Sequence, residues 1–367
     1  MTLSEEQKCL LWLSSAEITP KRVQELTFEF ETAQGIWDGF AMHGSACFQP
    51  SSREKLNRLH CKAAMEDLIA ELNKRNVHLL FQADAAYPEM LKHIDDPPYL
   101  LYYAGHVECL QMPAVAIVGT RKASSYGQEM AGILAQGLCN ADVCVVSGLA
   151  RGIDAAAHQG ALLVNGHTIG VLGSGINVPY PPEHTPLLRK IAGGNGLIIS
   201  EYPLNAEPTA YHFPHRNRII SGLSLGVVFV EGKIKSGGMH TVSSALAQGR
   251  EVFAVPGHVG TVGCEGPHTI LREGARMVTC AQDLLEDLGI SPPQAAQRKA
   301  KRAGNLNHYQ EQILDALCIE SLSADELAKK LGKSAQELIS ELGMLEILGY
   351  ITREAGNRFT LPIGAGR

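Results

Sequence analysis

The chain has 367 residues, 45% of them hydrophobic and 19% charged, which is enough for two or three domains with a sizeable core and excludes a disordered protein. A formal net charge of −6 excludes a polycation that holds nucleic acid by bulk charge, so any such site has to be a local basic pocket. An acidic start without a signal-peptide core, no apolar stretch long enough for a bilayer, and nine cysteines without a Cys-x-x-Cys pair predict a cytoplasmic protein with reduced thiols, no membrane span and no metal site.

In chain order, Leu10, Leu11, Trp12, Leu13, Val23, Leu26, Leu56, Leu59, Leu68 and Leu72 recur near helical spacing and predict a small helical domain over residues 1–75. Its first turn, residues 15–20, contains no glycine and so lacks the close backbone approach with which a helix-hairpin-helix grips a phosphate. A packing or partner-binding role is expected. From Val77 the pattern becomes extended, and after Ala114 short apolar runs alternate with helical segments: 114–118, 143–146, 168–172, 197–199, 226–230 and 252–255. Continuous apolar strands joined by helices predict an α/β fold, a doubly wound and mostly parallel sheet buried on both faces, over residues 76–290. A helical piece from Ala281 to Leu288 closes it.

Residues 291–305, with Pro292, Pro293 and the run Arg298 Lys299 Ala300 Lys301 Arg302, predict a basic, solvated linker. In 306–367, Ile313, Leu314 and Leu317 mark a helix, and Ser323 with Glu326 and Ser334 with Glu337 are capping boxes opening two more. Gly332 and Gly349 end those helices, and a hairpin turns at Gly356 Asn357. Three helices and a hairpin predict a winged helix. Its third helix has three glutamates and neither Lys nor Arg, so a protein-interaction role is expected rather than DNA reading.

The chemistry gathers where strands should end. Gly119 Thr120 Arg121 follows the first core strand, and Ser147 Gly148 Leu149 Ala150 Arg151 Gly152 Ile153 Asp154 follows the second; His158 lies in the next helix. Helix starts at that edge favour anions. Pro214 suits a first helical turn, which places His215 and Arg216 at a positive helix start. Arg216 and Arg218 face different sides of that helix, one free to hold a phosphate while the other braces the loop against Glu201 or Glu231. Phe213, Tyr211 and Tyr180 offer faces on which bases stack. The turn Lys235 Ser236 Gly237 Gly238 suits another phosphate but is not a P-loop, and Gly173 Ser174 Gly175 is not a dinucleotide fingerprint, so no nucleotide cofactor is expected. Asp154 is expected to stabilise its own helix and His158 to pack; no catalytic set is apparent. His212 and His215 flank Pro214 and do not suggest a metal-binding face.

In combination, Gly119 Thr120 Arg121, the 147–154 loop, Ser200 Glu201 Tyr202 Pro203, Phe213 Pro214 His215 Arg216 Asn217 Arg218 Ile219 Ile220 Ser221 and Val255 Pro256 Gly257 resemble the DNA-processing protein A (DprA/Smf) family over about residues 77–290. That resemblance implies an extended Rossmann-like domain between an N-terminal SAM-like helical domain and a C-terminal winged helix. It implies a homodimer that binds and protects single-stranded DNA and loads the RecA recombinase in natural transformation, without enzymatic activity. The DNA pocket it implies comprises Gly119, Thr120, Arg121, Ser147, Gly148, Phe213, His215, Arg216, Asn217, Arg218, Lys235, Ser236 and Gly237. The chain departs from the family pattern at Cys264 Glu265 Gly266 Pro267 His268, where Ser-x-Gly-x-Asn is usual, and in its Gly-rich turn, which reads Ser236 Gly237 Gly238 Met239 His240. The alternative is a nucleoside monophosphate phosphoribohydrolase, whose Pro-Gly-Gly-x-Gly-Thr-x-x-Glu pattern is incomplete here, with Ser244 at the final position.

Overall fold

A computed structural model describes residues 2–41, 44–291, 308–317, 321–333, 335–347, 350–354 and 357–360. They fall into two compact units, Met1–Val278 and Thr279–Arg367.

The first unit opens with five helices, α1 (Glu5–Ser15), α2 (Pro20–Phe30), α3 (Ala33–Phe40), α4 (Pro50–Leu59) and α5 (Lys62–Lys74). Each start has a local reason: Ser4 and Gln7 form a capping box for α1, Thr19 caps α2 ahead of Pro20, and Thr32 caps α3. The Glu6 carboxylate also accepts from the Ala33 and Gln34 N–H groups at 2.8 and 3.0 Å, tying α1 to the positive start of α3. Trp12 is wholly buried, edge-on to Trp37 and Phe40 at 4.9 and 5.0 Å, and its indole N–H donates to Leu56 O. These helices share one apolar core with the sheet, and Ser14 Oγ meets Tyr102 OH at 3.0 Å beneath them.

The sheet contains β1 (His78–Phe81), β2 (Leu100–Gly105), β3 (Ala114–Val118), β4 (Cys144–Ser147), β5 (Thr168–Leu172), β6 (Leu197–Ser200), β7 (Gly226–Phe229), β8 (Glu251–Ala254) and β9 (Arg276–Met277). Spatial order is β1-β2-β6-β5-β4-β3-β7-β8-β9. The first two strands join antiparallel, and all pairings from β6 to β9 are parallel. Every residue of β3 to β7 is buried, as expected for strands covered on both faces. The crossovers are α7 (Ser125–Asn140), α8 (Ile153–Leu163), α9 (Thr185–Gly193), α10 (His212–Gly222), α11 (Gly237–Ala247) and α12 (Glu265–Arg272), with the one-turn α6 (Glu89–Lys92) between β1 and β2. Strand order reverses at β3, with β4 on one side and β7 on the other. The carboxyl ends of β3 and β7 therefore open a crevice at a topological switch point.

The second unit begins with α13 (Ala281–Asp287), where Asp283 accepts from the Thr279 and Cys280 N–H groups. It continues with α14 (His308–Leu317), β10 (Leu322–Ser323), α15 (Ala324–Leu331), α16 (Ala335–Ile347), β11 (Thr352–Glu354) and β12 (Arg358–Thr360). The strands order as β10-β12-β11, and Leu317, Leu327, Leu338, Leu342 and Phe359 fill the core of this winged helix. Ser323 and Glu326 make the expected capping box, and Gly332 ends α15 at φ 64°. The expected linker falls on residues outside the described ones apart from Ser291, and Ser334, Gly349 and Gly356 also lie outside them.

Candidate nucleic-acid interface

A cleft of about 650 Å³ occupies the switch point, walled by residues 118–121 after β3, Ala150 and Asp154 around the start of α8, the first turns of α10, and Ser236, Gly237 and Gly238 at the start of α11. Its floor is stitched by backbone. Thr120 N donates to Glu231 O at 2.7 Å, and Ile153 N to Thr120 O at 3.3 Å. Gly152 closes the stitch at φ 75°, where a Cβ would stand 2.3 Å from Thr120 O; no other residue type fits this conformation and approach. Leu149, three residues earlier, holds φ 57° with its side chain buried. A non-glycine residue there costs about 1–3 kcal/mol and persists only where its surroundings fix it.

Asp154 stands in the first turn of α8, where its charge favours the helix start as expected. Its Oδ2 turns back to the loop, accepting from Gly148 N at 3.1 Å and Ala150 N at 3.4 Å. Burial pushes its carboxyl up, and the nearby Arg216 charge opposes the rise. Glu231, also buried, accepts from the N–H and hydroxyl of Ser124 at 2.9 Å each and so fixes the start of α7 beside the cleft.

Cations divide by environment. Arg121 is exposed at the rim, with no salt bridge among the described residues, and its guanidinium lies 5.5 Å from the Phe213 ring centroid. Phe213 in turn meets Tyr180 at 5.3 Å, and Gly173 leaves room for the ring, since a Cβ there would stand 2.9 Å from it. Arg216 lines the same cleft but is 5% exposed; it donates to the carbonyls of Gly148 and Val171, and burial lowers its pKa to about 10. It is a buried positive charge that braces two strand ends.

Arg218 is not at the cleft. It donates to Glu201 Oε1 at 2.6 Å and to Asp96 Oδ2 at 3.3 Å on the opposite side of α10. His215 joins that network, 3.1 Å from Asp96 Oδ2 and 3.3 Å from Tyr202 OH. Of the pair of arginines, Arg218 is the one that braces the loop, against Glu201 rather than Glu231. Ser147 is also withdrawn, wholly buried and donating to Ile117 O at 2.6 Å.

Among the remaining expected residues, Gly119, Thr120, Asn217, Ser236 and Gly237 line the cleft, and Gly148 lines a smaller recess beside it with Arg121, Tyr180 and Phe213. Asn217 Nδ2 donates to Gly237 O at 3.2 Å, locking α10 to α11. Lys235 is exposed just ahead of the α11 start and does not line the cleft. Ser236 is the N-cap residue of α11 without a side-chain hydrogen bond, and its buried Oγ has no partner among the described residues; Ser236, Gly237 and Gly238 line the cleft at this helix start. The arrangement offers donors for phosphate oxygens at one wall and flat aromatic faces at another. Sequence reasoning missed Asp154 and His240 as cleft residues; an acid inside a glycine-rich loop was the available signal for the first.

The chain matches the family model for DNA recombination-mediator protein A over residues 78–289 and that for the DprA winged helix domain over residues 292–357. It is 37% identical to protein Smf of Escherichia coli over 301 residues, 80% of each chain, and 44% identical to DNA processing protein DprA of Streptococcus pneumoniae over 204 residues, 56% of this chain and 72% of that one. The X-ray structure of the Streptococcus pneumoniae protein superposes with a TM-score of 0.66 at 34% identity, covering 78% of this chain and 98% of that one. A structure of DNA processing protein A from Helicobacter pylori, described for its single-stranded DNA binding mode, superposes with a TM-score of 0.53 at 29% identity over 58% of this chain and 95% of that one. With a switch-point cleft on the expected strands and both family models matched in order, the chain belongs to the DNA recombination-mediator protein A (DprA/Smf) family.

Proposed function

We propose that the chain binds single-stranded DNA in the switch-point cleft and acts as a non-enzymatic mediator in the cytoplasm, protecting incoming strands as a homodimer and loading RecA onto them. The observation that carries this reading is the placement of an exposed Arg121, without a salt bridge among the described residues, over the Phe213 ring beside the open start of α11. Arg121, Ser236 and the N–H groups of Gly237 and Gly238 take phosphates, with Lys235 adding charge at the rim; Phe213 and Tyr180 stack bases. Arg216 acts through the shape and field of the cleft. Arg218, His215 and Ser147 support the wall behind it. We assign residues 1–75 to the helical domain, 76–290 to the DNA-binding domain, 291–305 to the linker and 306–367 to the winged helix, which serves protein contacts.

Fluorescence anisotropy of one labelled oligonucleotide, single-stranded and then annealed, tests the reading. Tighter binding of the single strand is expected, because a duplex presents no splayed bases. Equal or tighter duplex binding overturns it. RecA filament growth on strands coated with single-strand-binding protein tests the loading step, and light scattering tests the dimer.

A further inference from the structure

The start of α10 has two aromatic flanks, and the cleft uses one of them. Phe213 turns into the cleft, whereas Tyr211, two residues earlier, lies outside it and is 70% exposed. Tyr211 stacks on His215, with ring centroids 5.7 Å apart and 18° between planes, at a separate hollow of about 240 Å³. That is the volume of about eight waters, room for one flat heterocycle. Thr19 and Pro20, the cap and first residue of α2, line the hollow together with Tyr202, His212 and Glu201.

His212 gives the hollow a built polar edge. It is 8% exposed, its ring lies on Tyr202 at 3.9 Å, and its Nε2 is 3.5 Å from Glu17 Oε2. A carboxylate only accepts, so Nε2 carries a proton. Nδ1, at the other side of the ring, is buried without a hydrogen-bond partner among the described residues. The charges in the walls decide what fits. Glu17, held as a carboxylate with its pKa lowered to about 2 by His212 and Lys55, and Glu201 repel a phosphate. An uncharged planar group with a polar edge suits the tyrosines and His212.

We propose that this hollow is a second base subsite, which takes one unpaired nucleobase from the strand whose neighbouring base stands on Phe213. The proposal rests on the single-strand reading and extends the strand around the end of α10, from one aromatic flank to the other. Every base presents N–H or ring-nitrogen groups on its pairing edge, so the subsite tolerates sequence and rejects paired bases.

Tyr211→Ala tests it, since so exposed a ring contributes little to folding and the thermal midpoint should stay at the wild-type value. With an oligothymidylate long enough to cross both flanks, affinity should fall about fivefold or more, and the salt dependence should keep its slope because no phosphate contact is lost. An abasic site walked along the oligonucleotide should weaken the wild type at one position more than it weakens Tyr211→Ala. Unchanged affinity and an unchanged abasic pattern in Tyr211→Ala, with Arg121→Ala still weakened, overturn the subsite and leave the cleft reading standing. A shallower salt slope in Tyr211→Ala also overturns it, by making Tyr211 a phosphate contact. Wild-type binding by both variants removes the cleft reading as well.

Discussion

His158 makes the stability of the sheet domain sensitive to acid. It is wholly buried in α8, and Thr168 Oγ1, which already donates to Val145 O at 2.8 Å, accepts from its Nδ1 at 2.7 Å. Burial, reinforced by the charges of His184 and Arg216, lowers its pKa from 6.5 to about 3. The unfolded chain therefore binds a proton between those values that the folded chain refuses, and stability is lost as pH falls below 6.5, by about 1.4 kcal/mol per unit across the window. From pH 7.5 to pH 5.0 the loss attributable to this group is about 2 kcal/mol. Replacing it with leucine removes the titration and leaves Thr168 its acceptor at Val145. Urea unfolding at the two pH values should show a drop for His158→Leu that is smaller than the wild-type drop by about that amount. Equal drops in the two proteins would refute the buried, neutral histidine and the reasoning built on it.

Gly152→Ala should cost at least about 1–2 kcal/mol from its left-handed backbone alone, and more from the contact with Thr120 O, so urea unfolding and DNA affinity should weaken together. Arg218→Met leaves the Glu201 and Asp96 carboxylates facing a low-dielectric wall without their cation; we expect a loss of about 3–5 kcal/mol in stability with no change in the salt slope of DNA binding. A reduced slope would move Arg218 into the cleft. Glu17, whose folded pKa is lowered to about 2 by His212 and Lys55, contributes stability that is present above its unfolded pKa of 4.5 and lost as pH falls from there towards 2. Glu17→Gln should flatten the acid limb of the thermal midpoint in that interval, as scanning calorimetry would record.

The strands were legible because burial on both faces leaves an apolar run that no polar alternation interrupts, as in Ala114 Val115 Ala116 Ile117 Val118. β9 escaped notice: it is two exposed residues, Arg276 and Met277, paired to β8 by backbone and by an ion pair of Arg276 with Glu251 at 3.6 Å, too short a run to carry a strand pattern. The helix start at 212–214 followed from Pro214, and the spacing of Arg216 and Arg218 put them on different sides. Which of them faced the cleft depended on Asp96, 122 residues from Arg218 in sequence, and no local pattern carries such a contact. Ser147 shows the same limit, since a serine ending a strand beside glycine suits a site equally well whether its hydroxyl faces ligand or, as here, Ile117 O. The role of Glu231 was hidden because its carboxylate binds Ser124, 107 residues away, whereas Asp154 binds the Gly148 and Ala150 N–H groups of the loop just before it. The contact between the turn at Glu17 and the start of α10 at His212 likewise joins segments far apart in the chain.

The most direct measurement of the account is the salt dependence of single-strand affinity for the wild type and Arg121→Ala, followed by anisotropy from low to physiological salt. If Arg121 is the rim cation that meets a phosphate, its removal weakens binding and lowers the slope of log affinity against log salt by about 0.7. A wild-type slope with wild-type affinity in Arg121→Ala would contradict the placement of the strand in this cleft.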